Sequence, residues 1–207
     1  MSQAPAPDKR RAILEAAITV FARQGFHSAR VSDVAAEAGV AYGLVYHYFD
    51  SKEQMLNELF SERWKLLLEA SQEMQRSDAS PRDKLRGVAS FIIESYRHEP
   101  ELMKVIIVEV TRAANSFGRT HLPEIRAAYD VVAGIVSDAQ ETGEFRDDVD
   151  PDFAAMLFYG AIEQLLSGWI FDLVPATDES YEEAKQLVVE TICGGLEPRP
   201  VGDRVAG

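Results

Sequence analysis

The sequence predicts an all-α protein: an N-terminal three-helix unit with a helix-turn-helix arrangement, and a larger C-terminal helical part. Three observations predict it. Apolar residues recur at helical spacing along most of the 207-residue chain. Prolines crowd the two ends (Pro5, Pro7, Pro198, Pro200), which leaves few breakers inside. The remaining punctuation (Gly25, Gly39, the polar run RSDASP at 76–81, Gly143 and Gly194-Gly195) falls where one apolar stripe ends and the next begins.

In chain order, residues 1–8 are rich in Ala and Pro and predict a disordered arm. A first helix follows from about Asp8 to Gln24, with Ile13, Ala16, Ala17, Val20 and Phe21 on one side. A second, short helix begins at Val31 or Ser32 and ends at Gly39, and a third spans Tyr42 to Phe49. Asp50-Ser51 caps a fourth, whose stripe Met55, Leu56, Leu59, Phe60 and Trp64 continues to about Met74. Beyond RSDASP come helices at Arg82–His98, Pro100–Asn115, Leu122–Thr142, Pro151–Leu173 and Asp178–Cys193, the last stopped by the glycine pair, and then a disordered tail over 196–207. The domains expected are thus 8–52, with 53–75 as a connecting helix, and 82–195.

Composition narrows the function classes. The apolar share is 46% and the charged share 27%, ordinary for a soluble globular protein. The lone Cys193 excludes an intramolecular disulfide and suits a reducing compartment. The N-terminus has no apolar segment of a signal peptide, and no unbroken apolar run reaches the roughly 18 residues of a membrane span, so a cytoplasmic location is expected. A net charge of −13 argues against a general nucleic-acid binder. That charge is unevenly placed. Residues 1–52 hold six Lys/Arg and five Asp/Glu, a net +1, and residues 53–207 carry −14, so a polyanion would dock at the N-terminal quarter. Enzyme chemistry finds no support: His27, His47, His98 and His121 are scattered, with no metal-spaced cluster and no phosphate loop. No metal or cofactor is expected.

The informative segment is Phe26 to Lys52, FHSARVSDVAAEAGVAYGLVYHYFDSK. Two short helices flank Gly39-Val40-Ala41. A glycine there lets the chain take positive φ and set the second helix steeply across the first, as a rod for the major groove. Val45 and Phe49, one turn apart, point inward. Tyr42, Gly43, Tyr46 and His47 lie on the other faces. Glycine in so short a helix costs about 1 kcal/mol, and close approach of backbone to DNA is one reason to tolerate it.

This segment resembles the TetR family of repressors over about residues 10–60. The match rests on Phe21, Gly25-Phe26, Val34-Ala35, Ala38-Gly39-Val40, Gly43, Tyr46, Tyr48-Phe49 and Ser51-Lys52. It departs at Arg30, where the family often has Thr, and at Tyr42 and Leu44, where it often has Lys and Thr, so a relative's operator does not transfer. The resemblance implies that Arg30 and Ser32 contact phosphate at a helix N-terminus. It implies that Tyr42, Gly43 and Leu44 face bases, and that Tyr46, His47 and Lys52 contact the backbone. Lys9, Arg10 and Arg11 would either reach a flanking phosphate or form an ordinary solvated helix start. Tyr48 and Phe49 read as core aromatics.

From Pro100 to Cys193 the chain is similar to the fatty-acid-responsive, FadR-like branch of that family, on HEPELMKVIIVEVTRAA and ETGEFRDDVDPDFAAMLFYGAIEQLLSGW. That implies a homodimer, assembled through the mixed large and small apolar residues of 151–173 together with Tyr181, Leu187, Val188 and Ile192. It also implies an apolar effector, long-chain acyl-CoA in that branch, held by Met103, Ile106, Ile107, Val110, Tyr129, Phe158, Ile162, Glu163 and Trp169. Arg97, Lys104, Arg112, Arg119 and Arg126 are candidates for its phosphates or else surface charges. Glu109 sits on an apolar stripe and needs a partner, either a ligand or a salt bridge such as one with Arg112. A palindromic operator bound by the dimer and released by the effector is the resulting expectation. The alternatives are a helical adaptor without DNA binding, or the same repressor answering to a hydrophobic drug or aromatic inducer.

Overall fold

A computed structural model describes residues 8–111 and 121–198. The expectations for residues 1–7, 112–120 and 199–207 lie outside the described residues, as do the side chains of Val110 and Thr111. The helices are α1 (Lys9–Gln24), α2 (Val31–Glu37), α3 (Tyr42–Tyr48), α4 (Lys52–Arg76), α5 (Pro81–His98), α6 (Pro100–Ile106), α7 (Leu122–Glu141), α8 (Pro151–Ile170) and α9 (Asp178–Leu196). There is no strand among the described residues. The all-α prediction holds.

Local chemistry sets most of the boundaries. The Asp8 carboxylate accepts the amides of Arg10 and Arg11 and starts α1, and Gly25 ends it at φ +77°. Ser51 Oγ accepts the Gln54 amide at 3.1 Å while Gln54 returns its side-chain oxygen to the Asp50 amide at 2.6 Å, a reciprocal cap that opens α4. Prolines stand in the first turns of α6, α7 and α8, where a missing N–H costs nothing.

Contacts divide the chain into two compact units. The first is Met1–Arg63 with Glu99–Gly118, and the second is Trp64–His98 with Arg119–Gly207. This differs from the contiguous division expected, because residues 99–111 pack on α1 rather than within 82–195. The first unit's core is Ile13, Ala17, Val20 and Phe21 of α1, Val34, Val45, Phe49, Met55 and Phe60, with Leu102, Val105 and Ile106 of α6. Thr19 Oγ1 donates to Glu101, and Arg63 pairs with Glu99. In the second unit α8 is central. Its Ala154, Ala155, Phe158, Ile162 and Leu166 are buried among residues of α5, α7 and α9.

Three expectations need correction. The helix expected over Pro100–Asn115 is α-helical only to Ile106, and Ile107–Thr111 forms a π-helical turn. The last helix runs through Gly194-Gly195 to Leu196. Its final turn is held by burial of Leu196 and by Arg146, whose amide donates to the Leu196 carbonyl at 2.8 Å, so glycine's freedom is not used there and the tail does not begin at 196. By length and mean hydropathy (1.2) α8 would suffice to cross a bilayer, although it lacks an unbroken apolar run. Half of that window is buried inside the unit, the pattern of a core helix.

Candidate nucleic-acid interface

The turn between α2 and α3 is closed by backbone. Gly39 takes φ +63°, and the Val40 amide donates to the Ala35 carbonyl at 3.0 Å. This left-handed residue is the one position of the turn where a side chain is disfavoured. α3 is then anchored by two residues one turn apart. Val45 is 0% exposed and Phe49 1%.

Anchoring those two turns the opposite side outward. Tyr42 is 53% exposed and Tyr46 44%. Their rings meet edge to face with centroids 5.1 Å apart, and their hydroxyls lie 3.1 Å from each other. That hydroxyl contact pushes the Tyr46 phenol up from its usual value. Gly43 is exposed between them, with nothing within 4 Å of where a Cβ would stand, so the rod's outer face is open there. His47 is exposed, its ring edge-on to Tyr48 at 5.0 Å. Leu44 is half-buried, and so is Tyr48, unlike the fully buried Phe49. At the start of α2, Arg30 and Ser32 are both exposed, and the Arg30 amide donates to Asp33 Oδ2 at 3.2 Å. The exposed side of α3 therefore carries phenols and an imidazole around a glycine, and the start of α2 exposes a guanidinium and a hydroxyl, all able to meet phosphate oxygens or base edges.

Lys52, predicted to contact the DNA backbone, and Arg10, one of the candidate arm cations, are engaged inside the unit. Lys52 Nζ donates to the carbonyls of Phe26 (2.8 Å), His27 (3.0 Å) and Ala29 (3.0 Å) and lies 4.7 Å from the centre of the Phe26 ring. An ammonium has three donors, and these carbonyls take all three. Arg10 forks both oxygens of Glu58 and lies over the Phe49 ring at 4.9 Å, while Arg11 pairs with Glu15 at 3.1 Å. Lys9 is exposed.

Glu109 has a partner that neither reading of it named, while Arg112 lies outside the described residues. Its carboxylate accepts the backbone N–H of Phe26 at 3.1 Å. The sequence signalled that a carboxylate on an apolar stripe needs a partner, but a main-chain donor 83 residues earlier leaves no trace in a residue pattern.

The expected effector residues divide between the units. Met103, Ile106 and Ile107 are buried in the first. In the second, Phe158, Ile162 and Trp169 are buried, and Tyr129 and Glu163 are half-buried. Trp169 stacks on Tyr96 at 5.6 Å and meets Tyr181 edge-on at 4.8 Å. Tyr129 lies 4.7 Å from Tyr159, whose hydroxyl donates to the Ala128 carbonyl. Burial, then the negative Glu163, pushes the Tyr129 phenol up. A cavity of about 290 Å³ opens in this unit between Leu122, Ile125, Arg126, Tyr129, Asp130, Asp152 and Met156. Of the expected effector residues only Tyr129 lines it, and of the candidate cations only Arg126, which faces Asp130 at 3.8 Å. Arg97 pairs with Asp178 and Glu94, Lys104 is half-buried, and Arg112 and Arg119 lie outside the described residues. No group of three or more His, Cys, Asp or Glu able to hold a metal occurs among the described residues.

An outward-held second helix on an all-helical chain defines a helix-turn-helix regulator with a helical C-terminal part. Residues 13–59 match the family described as "Bacterial regulatory proteins, tetR family", and residues 60–189 match "YsiA-like protein, C-terminal region": the chain belongs to the TetR family. It is 30% identical over 187 residues to the "Fatty acid metabolism regulator protein" of Bacillus subtilis (strain 168), covering 89% of this chain and 93% of that one. It is 28% identical over 192 residues to the "HTH-type transcriptional repressor KstR2" of Mycolicibacterium smegmatis, covering 91% and 90%. Its fold matches the crystal structure of the transcriptional regulator FadR from Bacillus subtilis in complex with stearoyl-CoA, with a TM-score of 0.78, 26% identity, and 90% and 99% of the two chains covered. These relatives are named as regulators, and none of the three as an enzyme.

Proposed function

We propose that this chain is a transcriptional repressor that binds a palindromic operator as a homodimer and is released by an apolar effector, a long-chain acyl thioester of coenzyme A. The observation that carries the DNA-binding reading is the two-sidedness of α3: Val45 and Phe49 anchor it, and Tyr42, Gly43, Tyr46 and His47 face out, with Arg30 and Ser32 exposed at the start of α2. Tyr42 and Gly43 are assigned to base edges, with Leu44 beside them. Tyr46, His47, Arg30 and Ser32 are assigned to phosphates. Lys52 is reassigned from phosphate to holding the α1–α2 turn, because its ammonium is already saturated.

Dimerisation is supported by an exposed stripe on α8. Phe153, Met156, Leu157 and Gly160 stand outward at helical spacing, and Leu187 stands outward on α9. Apolar side chains left in water along one helix face suit a self-complementary interface between two copies. Two-fold symmetry would present the two α3 helices to successive major grooves. The effector class is supported by the relative named for fatty acid metabolism and by the stearoyl-CoA complex. The cavity beside Tyr129 is at the lower end of the roughly 300–1,000 Å³ range of ligand pockets, so it accommodates one part of such a molecule, with Arg126 at its rim suited to a phosphate. A regulator of this kind works in the cytoplasm, where the DNA is.

Fluorescence anisotropy with labelled DNA from upstream of the protein's own gene tests the proposal, with and without stearoyl-CoA. Binding that falls on adding the thioester is expected. Binding unaffected by any acyl-CoA overturns the effector assignment, and no sequence-preferring binding at all favours the adaptor reading.

A further inference from the structure

The Phe26 backbone at the α1–α2 turn is gripped from two directions. Its N–H donates to Glu109 at 3.1 Å, and its C=O accepts from Lys52 at 2.8 Å. These two groups belong to successive peptides, Gly25–Phe26 and Phe26–His27, so the two charge-assisted hydrogen bonds fix the backbone on either side of one Cα. The Phe26 side chain is buried with its ring edge-on to Phe21 at 5.2 Å, which fixes the same residue from a third side. Gly25, at φ +77°, brings the backbone close to the carboxylate: a Cβ there would lie 3.8 Å from Glu109 Oε1. Five residues further on, the chain enters α2.

Lys52 belongs to the helix-turn-helix segment. Glu109 does not. It rides on the π-helical turn Ile107–Thr111, on a stretch whose neighbours in sequence on both sides belong to the second unit. That stretch is fastened to the first unit at two further points, Glu101 to Thr19 and Glu99 to Arg63. A π turn holds one residue more than an α turn and recurs at functional sites. Glu109 lies inside that turn, so the direction in which it points depends on the turn's register.

We propose that Glu109 is a positioning residue for DNA recognition: from outside the helix-turn-helix it holds the Phe26 N–H, and with Lys52 on the Phe26 carbonyl it sets the α1–α2 turn from which α2 and α3 are presented. This rests on the repressor reading for its DNA consequence and on geometry alone for the grip.

Two variants test it, Glu109→Leu, which removes the acceptor, and Glu109→Gln, which keeps an oxygen at the same reach. Amide hydrogen exchange on the full-length dimer reads the grip without DNA. The Phe26 amide should exchange about tenfold faster in Glu109→Leu and near the wild-type rate in Glu109→Gln, with α8 unchanged in both. Operator anisotropy reads the consequence: about tenfold weaker binding for Glu109→Leu, largely restored in Glu109→Gln, at equal dimerisation. Equal Phe26 exchange in Glu109→Leu and wild type would overturn the grip. A freed amide with unchanged operator affinity would overturn its positioning role. Failure of the wild type itself to bind any operator would fall on the repressor reading, with the exchange result still deciding the grip.

Discussion

α3 and α8 are built on the same plan and expose different chemistry. Each buries one side and leaves aromatic or large apolar groups on the other. On α3 the exposed groups end in polar atoms: two phenols and an imidazole beside a bare glycine. On α8 they end in carbon and sulfur: Phe153 and Leu157, each 66% exposed, with Met156 and Gly160. A phenolic rim can trade water for phosphate or base edges with little loss, whereas the α8 stripe gains only from being covered by something equally apolar. Exposure alone does not distinguish a DNA face from a protein face. The chemistry at the tips of the exposed side chains does.

The sharpest way to break that comparison is to put charge on α8. Leu157→Glu or Phe153→Glu would set a carboxylate from each copy across the shared face, a like-charge juxtaposition that costs several kcal/mol. The dimer dissociation constant should rise at least about a hundredfold by sedimentation velocity, with helical content unchanged and operator affinity falling in parallel. A dimer that survives either substitution would remove α8 from the interface. Tyr42→Ala comes next. It should shrink the preference for operator over scrambled DNA by about ten- to hundredfold, the scale of one base contact, while leaving dimerisation intact. An unchanged preference would move recognition elsewhere on α3.

Much of this was legible in the sequence because it rests on local rules. The positive φ at Gly39, the inward pair Val45 and Phe49, and the Ser51 cap each follow from a few neighbouring residues, and all three stand where expected. What was not legible depends on distant partners. Lys52 reads as a phosphate ligand until three carbonyls more than twenty residues away claim it. Arg10 reads as an arm residue until Glu58 takes it. The π turn at Ile107–Thr111 and the grouping of 99–111 with the first unit leave no periodic signature, because the run LMKVIIVEV is apolar on most sides and fits several registers equally well.

Arg30→Ala probes the electrostatic side of DNA binding. Arg30 is exposed at the head of α2, so a phosphate contact from it should be blind to sequence. Affinity should fall by a similar factor on operator and scrambled DNA, and the slope of log affinity against log salt should flatten by about one unit. A slope that does not move would mean that the guanidinium meets no phosphate.

The smallest effect, and the one that separates the two exposed tyrosines, belongs to Tyr46→Phe. The ring remains against Tyr42 and only the hydroxyl goes, so the packing of the pair survives while the 3.1 Å hydroxyl contact does not. If Tyr46 serves the backbone, operator and scrambled DNA should both be bound about two- to fivefold more weakly, the scale of one net hydrogen bond, with the preference between them retained. A narrowed preference instead would mean that the Tyr46 hydroxyl works by steadying that of Tyr42. Titration supplies a second handle. Because Tyr42 pushes the Tyr46 phenol upward, the proton-bearing form persists beyond the usual tyrosine range, and its loss begins only as pH rises through that raised value. The Tyr46 contribution to operator affinity, taken as the ratio of wild type to Tyr46→Phe, should therefore stay level from pH 7 to about pH 9. A ratio that falls inside that interval would show that the phenol facing DNA ionises early, and that the pairing of the two hydroxyls is not what holds its proton.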